Sequence, residues 1–215
     1  MTSRQTNSLD QYLVGLTGNI CSGKSKAAEY FKELGAHIID LDNIVHELYE
    51  KNIPLKFRLY NEFGYKIFNK KLEVDRKKLG RIVFSDKSKM KKLENMVWKY
   101  VEKERKKRTK NKEGIVIIEA AMLYESGLDK EFDKNIMVTV DEEQQVERLM
   151  KRNGIEKEEA LKRISSQMPQ YEKMIRSDYI IPNKGTLELL KRNVEDAWEF
   201  LNMNFLYEKH LFTPE

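Results

Sequence analysis

The chain has 215 residues, 40% hydrophobic and 35% charged, with ten Gly, four Pro and one Cys. That length suits one good-sized domain with insertions, and the mix of charge and aromatics excludes a disordered, collagen-like or disulfide-stapled chain. The net charge of +5 is local, because Lys99 to Lys112 holds eight Lys/Arg and two Glu, and the remainder nets −1.

The basic run reads either as a solvated helix end or as a site for an acidic partner. It carries Tyr100 but no repeated aromatics for base stacking, so nucleic acid is not an expected partner. No apolar run approaches the roughly 20 residues of a membrane helix. The start, Met1 to Ser8, is polar and lacks the apolar stretch of a secretory leader. With Cys21 alone, no internal disulfide forms, which fits a reducing, cytoplasmic location. Three His and one Cys are too few for a zinc site.

Leu13 to Thr17 reads as a short strand, and Ser25 to Leu34 as a helix with Ala27, Ala28, Phe31 and Leu34 on one side and Gly35 as its stop. His37 to Leu41 is a second strand. About 70 mostly helical residues follow, too many for a loop and therefore an inserted subdomain. Gly114 to Glu119 is a third strand whose unbroken apolar run predicts burial on both faces. Asn135 to Val140 is a fourth. Asp141 and Gln144 then carry the pattern of a capping box, ahead of a helix with Val146, Leu149 and Met150 on its apolar side. Two helices are expected before a short fifth strand, Tyr179 to Ile181, stopped by Pro182. A last helix runs from about Gly185 to Leu206. The order is α/β with a parallel five-stranded sheet. It predicts one domain over 1–215, with a core of about 13–42, 113–140 and 177–210 and insertions at about 43–112 and 141–176.

Gly18-Asn19-Ile20-Cys21-Ser22-Gly23-Lys24-Ser25 matches G-x-x-x-x-G-K-[ST] between a predicted strand and a predicted helix, the context its chemistry needs. Glycines let backbone N–H groups turn inward around phosphate oxygens, and the helix N-terminus adds unpaired donors and partial positive charge. Lys24 would reach the outer phosphates, and the Ser25 hydroxyl would meet Mg²⁺. The dinucleotide pattern G-x-G-x-x-G is absent here, which argues against NAD or FAD.

Asp40 and Asp42 fall at the C-terminal end of the second strand, the ligand edge of an open parallel sheet. Either could take a proton from an attacking hydroxyl, or both could cap the next helix. Arg148 and Arg152, four apart, share a helix face that reads as solvated or as phosphate-facing. Cys21 is either a small loop residue or a thiol activated by the helix N-terminus and Lys24.

Leu16-Thr-Gly-Asn-Ile-Cys-Ser-Gly-Lys-Ser25 with Ile39-Asp-Leu-Asp42 resembles the dephospho-coenzyme A kinase family, which belongs to the P-loop kinases. The likeness continues through Arg76-Lys-Lys-Leu79-Gly80-Arg-Ile-Val-Phe84-Ser85, Leu123-Tyr-Glu125-Ser-Gly-Leu128, Gln145-Val-Glu-Arg148-Leu, Arg163-Ile, Gln167 and Ser177-Asp178-Tyr-Ile-Ile-Pro-Asn183-Lys-Gly185. The resemblance implies a P-loop NTPase-like fold whose first insertion binds substrate and whose second is a lid. The implied reaction moves the γ-phosphate of ATP to the ribose 3′-hydroxyl of dephospho-coenzyme A. It assigns Gly18, Asn19, Ile20, Cys21, Ser22, Gly23, Lys24, Ser25 and Lys26, with Arg148, Arg152 and Asn183, to ATP. It assigns Thr17, Asp40, Asp42, Arg76 and Leu123 to the acceptor, Asp42 being the general base, and Ser25 and Glu119 to Mg²⁺. Lys24 and Arg148 would serve the chemical step.

Asn19 and Cys21 stand where the family usually has glycines, Glu119-Ala-Ala-Met where it has Asp with Pro-Leu-Leu, and Trp98-Lys99 where it has His-Pro. The expected partners are ATP and dephospho-coenzyme A, without a membrane, for a monomer or weak homo-oligomer. The alternatives are another small P-loop nucleoside or nucleotide kinase, and a nucleotide-binding regulator with little catalysis.

Overall fold

The computed structural model describes residues 10–83 and 86–212, with side chains to 209. The polar start Met1 to Ser8 and the pair Phe84-Ser85 lie outside the described residues. Contacts divide the chain into two compact units, 40–110 and the remainder.

The larger unit is built on strands β1 (Gln11–Thr17), β2 (His37–Asp40), β3 (Gly114–Glu119), β4 (Lys134–Thr139) and β5 (Tyr179–Pro182), in the order β2-β3-β1-β4-β5. β1 runs parallel to both neighbours, with Leu16 opposite Glu119 on one side and Ile136 on the other, and β4 runs parallel to β5. Parallel strands are joined by helical crossovers that cover both faces, and the apolar runs in β1, β3 and β4 are buried as that requires. Connections leave β1 toward β2 and β4 toward β5, in opposite directions across the sheet. The C-terminal edge between β1 and β4 is therefore a topological switch point, where open α/β sheets bind ligands.

Helix α1 (Lys24–Glu33) and a long C-terminal helix, α9 (Leu187–Phe212), lie over this sheet. Ala27, Ala28 and Phe31 of α1 share a core with Val14, Leu16, Ile117 and Ile136 of the sheet and with Leu190, Val194, Ala197 and Leu201. Fully burying a side chain such as Phe31 is worth about 1.5–3 kcal/mol. Gly35, at φ +110, ends α1 as its place after the apolar stripe predicts.

Between β4 and β5 lie three helices rather than the expected two: α6 (Glu142–Asn153), α7 (Lys157–Ser165) and α8 (Gln170–Met174). α8 is one short turn after Pro169, too brief to show a hydrophobic period. The capping box at Asp141 and Gln144 does not form. Asp141 pairs instead with Lys184, Oδ1 to Nζ 2.7 Å, and Gln144 Oε1 accepts from Arg148 at 3.2 Å. Each side chain finds a cation, a stronger partner than a neutral amide. The final helix, α9 (Leu187–Phe212), starts and ends later than predicted.

The smaller unit contains α2 (Leu41–Lys51), α3 (Ile53–Phe63), α4 (Arg76–Val83) and α5 (Lys87–Thr109). Asp40, Asn52 and Asp86 cap α2, α3 and α5 through bonds to backbone N–H groups. The basic run forms the C-terminal part of α5, where cations complement the helix dipole. Arg105 is buried against Glu102, Lys106 also meets Glu102, and Lys107 meets Glu104. Arg108 bonds Glu104 and reaches Glu47 of α2 at 2.6 Å, and its guanidinium holds the Glu47 carboxyl below the usual carboxylate range. Much of the run is thus consumed in ion pairs. Among the described residues no helix is long and apolar enough to cross a membrane.

Candidate active site

The loop from Gly18 to Gly23 joins the end of β1 to α1. Gly18 is packed so closely that a Cβ would sit 2.4 Å from Ser22 Oγ and 2.8 Å from Val138 O. Gly23 is left-handed, at φ +92, and a Cβ there would lie 2.2 Å from Asn183 Nδ2. That amide donates to Ser22 O at 2.7 Å and is buried, so Asn183 braces the loop from behind. Gly23→Ala is therefore expected to cost at least about 2 kcal/mol, from positive φ and the displaced Asn183 together. Thermal unfolding and ATP-analogue titration check this; an unchanged protein by both measures would contradict the packing described.

The first helical bond of α1 is Ala27 N–H to Gly23 O at 3.0 Å, so the amides of its first turn stand outside the helical ladder, at the end of a helix that favours an anion. Lys24 Nζ lies 3.1 Å from Glu119 Oε1, and Ser25 Oγ donates to that same oxygen at 2.7 Å. Both Lys24 and Glu119 are largely buried. The loop thus places an ammonium, a hydroxyl and a carboxylate beside the start of α1. Lys26 turns along α1 to Glu29 at 2.6 Å.

Ser25 and Glu119 offer two hard oxygen donors. Among the described residues no group of three or more His, Cys, Asp or Glu could hold a metal ion. A divalent ion here would take these two oxygens and complete its shell from phosphate and water. That is the pattern Mg²⁺ favours, so the residues fit it.

Arg148 of α6 points at the loop, its guanidinium 3.5 Å from both Cys21 O and Asn183 O. Arg152 is exposed and bonds Asn153 Oδ1 at 3.1 Å; their shared face does not bring both to the loop. Cys21 adopts φ +60, and its side chain packs against Val146, Leu149 and Ala160 of α6 and α7. Asn19 Nδ2 donates to Met168 O at 3.2 Å. Asn19 and Cys21 thus each gain a partner outside the loop.

Thr17 and Leu123 are fully buried, with Thr17 Oγ1 3.4 Å from Ala121 O. Asp40 Oδ1 accepts from Asn43 N–H at 3.0 Å as the cap of α2, and Asp42 lies in the first turn of that helix. Arg76 opens α4 in the same unit.

Three side chains near the loop escape sequence reasoning. Gln145 and Gln167 bond the backbone of Ile20. Lys173 of α8 is fully buried, donating to Ala121 O at 3.0 Å and pairing with Glu125 at 2.8 Å. Their partners are remote in sequence, so no local pattern reveals them.

A family model described as dephospho-CoA kinase matches residues 12–188. A dephospho-CoA kinase of Aquifex aeolicus is 40% identical over 190 residues, covering 87% of this chain and 96% of the relative. That of Lactobacillus johnsonii is 40% identical, covering 86% and 96%. A solved structure from Thermus thermophilus aligns with a TM-score of 0.79 and 30% identity, covering 89% of this chain and 98% of the other. The dephospho-CoA kinase of Campylobacter jejuni, at 24% identity and a TM-score of 0.57, covers 90% and 98% and shares the fold.

Proposed function

The chain belongs to the dephospho-CoA kinase family, and we propose from that premise how its own residues transfer the γ-phosphate of ATP to the ribose 3′-hydroxyl of dephospho-coenzyme A. The observation that carries the proposal is the convergence of Lys24 and Ser25 on Glu119 at the start of α1. Loop amides and Lys24 bind and neutralise the β- and γ-phosphates, with Arg148 as a second cation. The acceptor oxygen attacks the γ-phosphorus, the bond to the β–γ bridging oxygen breaks, and the hydroxyl proton passes to the Asp42 carboxylate. Ser25 and Glu119 would hold a magnesium ion, which when bound would neutralise phosphate charge. Asn183 keeps the loop arched. Arg76, Asp40, Thr17 and Leu123 shape the acceptor side, the last two from within the core. The segment from α6 to α8 acts as a lid that excludes water, a competing acceptor. The lone thiol supports a reducing, cytoplasmic setting.

Purified protein with ATP, Mg²⁺ and either dephospho-coenzyme A or a panel of nucleosides and nucleotides tests this. ADP should form with dephospho-coenzyme A, whose product gains the mass of one phosphate. EDTA should abolish turnover and excess Mg²⁺ restore it. Faster turnover of a nucleoside or nucleotide would overturn the acceptor, and full activity in EDTA would overturn the metal.

A further inference from the structure

Ile20, in the middle of the phosphate loop, commits both of its backbone polar groups to glutamines from the segment between β4 and β5. Its N–H donates to Gln167 Oε1 at 2.8 Å, and its carbonyl accepts from Gln145 Nε2 at 2.7 Å. A main-chain N–H only donates and a carbonyl only accepts, so these partners fix which way round each amide sits. Gln145 is 3% exposed, so water cannot readily replace its bond.

In a planar trans peptide the C=O and N–H point in opposite directions, and no described peptide is cis. Holding the Ile20 carbonyl toward Gln145 therefore turns the Cys21 N–H away from α6. Holding the Ile20 N–H toward Gln167 turns the Asn19 carbonyl the other way, and that carbonyl accepts the Ser22 N–H at 3.0 Å across the loop. The two glutamines thus set the tilt of two successive peptide planes. These planes flank Ile20 and fix its torsions, and the next residue, Cys21, sits at φ +60, a conformation costing roughly 1–2 kcal/mol for a residue with a Cβ.

We propose that Gln145 and Gln167 are positioning residues for phosphoryl transfer, acting through Ile20 to aim the loop amides at the nucleotide phosphates. The proposal rests on the kinase reading above. It is specific in polarity: Gln145 must donate and Gln167 must accept.

The test compares Gln145→Leu, Gln145→Glu, Gln167→Leu and Gln167→Glu. Each is assayed for affinity toward a non-hydrolysable ATP analogue, for kcat with dephospho-coenzyme A and for thermal unfolding without nucleotide. Both Glu variants add the same charge, so their difference reads bond polarity. Gln145→Leu, Gln145→Glu and Gln167→Leu should lose about tenfold or more in analogue affinity and in kcat, the effect of one lost buried hydrogen bond. Gln167→Glu keeps an acceptor and should stay at least about fivefold better than Gln167→Leu. Asn135→Ala is the structural control. It removes a bond of 2.9 Å to Asp129 O, from β4 and outside both the loop and the lid. It should lower the unfolding temperature while keeping affinity and kcat. Where Gln145→Leu fails to fold, Gln145→Met takes its place.

Equal damage in both Gln167 variants, near-normal Gln145→Glu, or losses in Asn135→Ala that match the others would overturn the proposal. Analogue binding needs no acceptor. A wild-type chain that binds the analogue but leaves dephospho-coenzyme A unmodified would refute the kinase reading, and the affinities alone would still decide this one.

Discussion

Lys24→Ala is expected to lower kcat about a hundred- to a thousandfold, a loss of roughly 3–4 kcal/mol of transition-state stabilisation. The ammonium carries one of the charges meant for the transferring phosphate. The same change strips Glu119 of its cation, leaving a largely buried carboxylate with Ser25 as its remaining side-chain bond. Losing one partner of a buried pair is costly, so the unfolding temperature should fall as well. Lys24→Ala combined with Glu119→Gln separates the two effects: the temperature should recover and kcat should not. Near-normal turnover by Lys24→Ala would remove the phosphate-loop assignment altogether.

Asp42→Asn should reduce kcat about a hundred- to ten-thousandfold, the range of a lost general base, while ATP-analogue affinity stays within about threefold. The substitution preserves size, and its cost to the first turn of α2 is a few tenths of a kcal/mol. Asp40→Asn is the comparison, because Asn caps a helix as well as Asp does. Asp40 already spends an oxygen on the Asn43 N–H, so its neutral form should keep the fold and lose far less turnover than Asp42→Asn. If Asp40→Asn is the variant that loses turnover and Asp42→Asn is not, the base is Asp40.

Much of this molecule is legible in its sequence, for physical reasons that also mark where reading stops. β3 was expected over Gly114 to Glu119 and occupies those residues, because an unbroken apolar run between a glycine and a charged residue leaves little choice of boundary. β1 begins at Gln11, two residues early, since strand ends are set by pairing across the sheet. α8 has five residues and no period to detect. Asp141 illustrates a different limit: its local pattern says cap, but Lys184, reached through the fold, outcompetes an uncharged backbone donor. At the phosphate loop the motif identifies Lys24 and Ser25, and the sheet register brings Glu119 level with Leu16, two residues before Gly18. Asn183, Gln145 and Gln167 hold the loop through single side-chain bonds to backbone atoms more than a hundred residues away. Nothing near them in sequence encodes such a bond.

β1 also has a history in time. Its neighbours β3 and β4 lie about a hundred residues downstream, Leu16 meeting Glu119 and Ile136, whereas residues 40–110 close their contacts within one continuous stretch. On the ribosome the helical unit is therefore synthesised in full before β1 has either of its strand neighbours. The apolar strand Leu13 to Leu16 must wait, unpaired, for the sheet to arrive around it. The loop that follows waits longer, because its braces at Gln167 and Asn183 are made 147 and 161 residues after the backbone atoms they hold. At about 5–20 residues per second, roughly 10–30 s separate synthesis of the loop from synthesis of the residues that shape it. A ribosome that stalls before Asn183 releases a chain with the whole nucleotide-binding motif and an unbraced nucleotide loop.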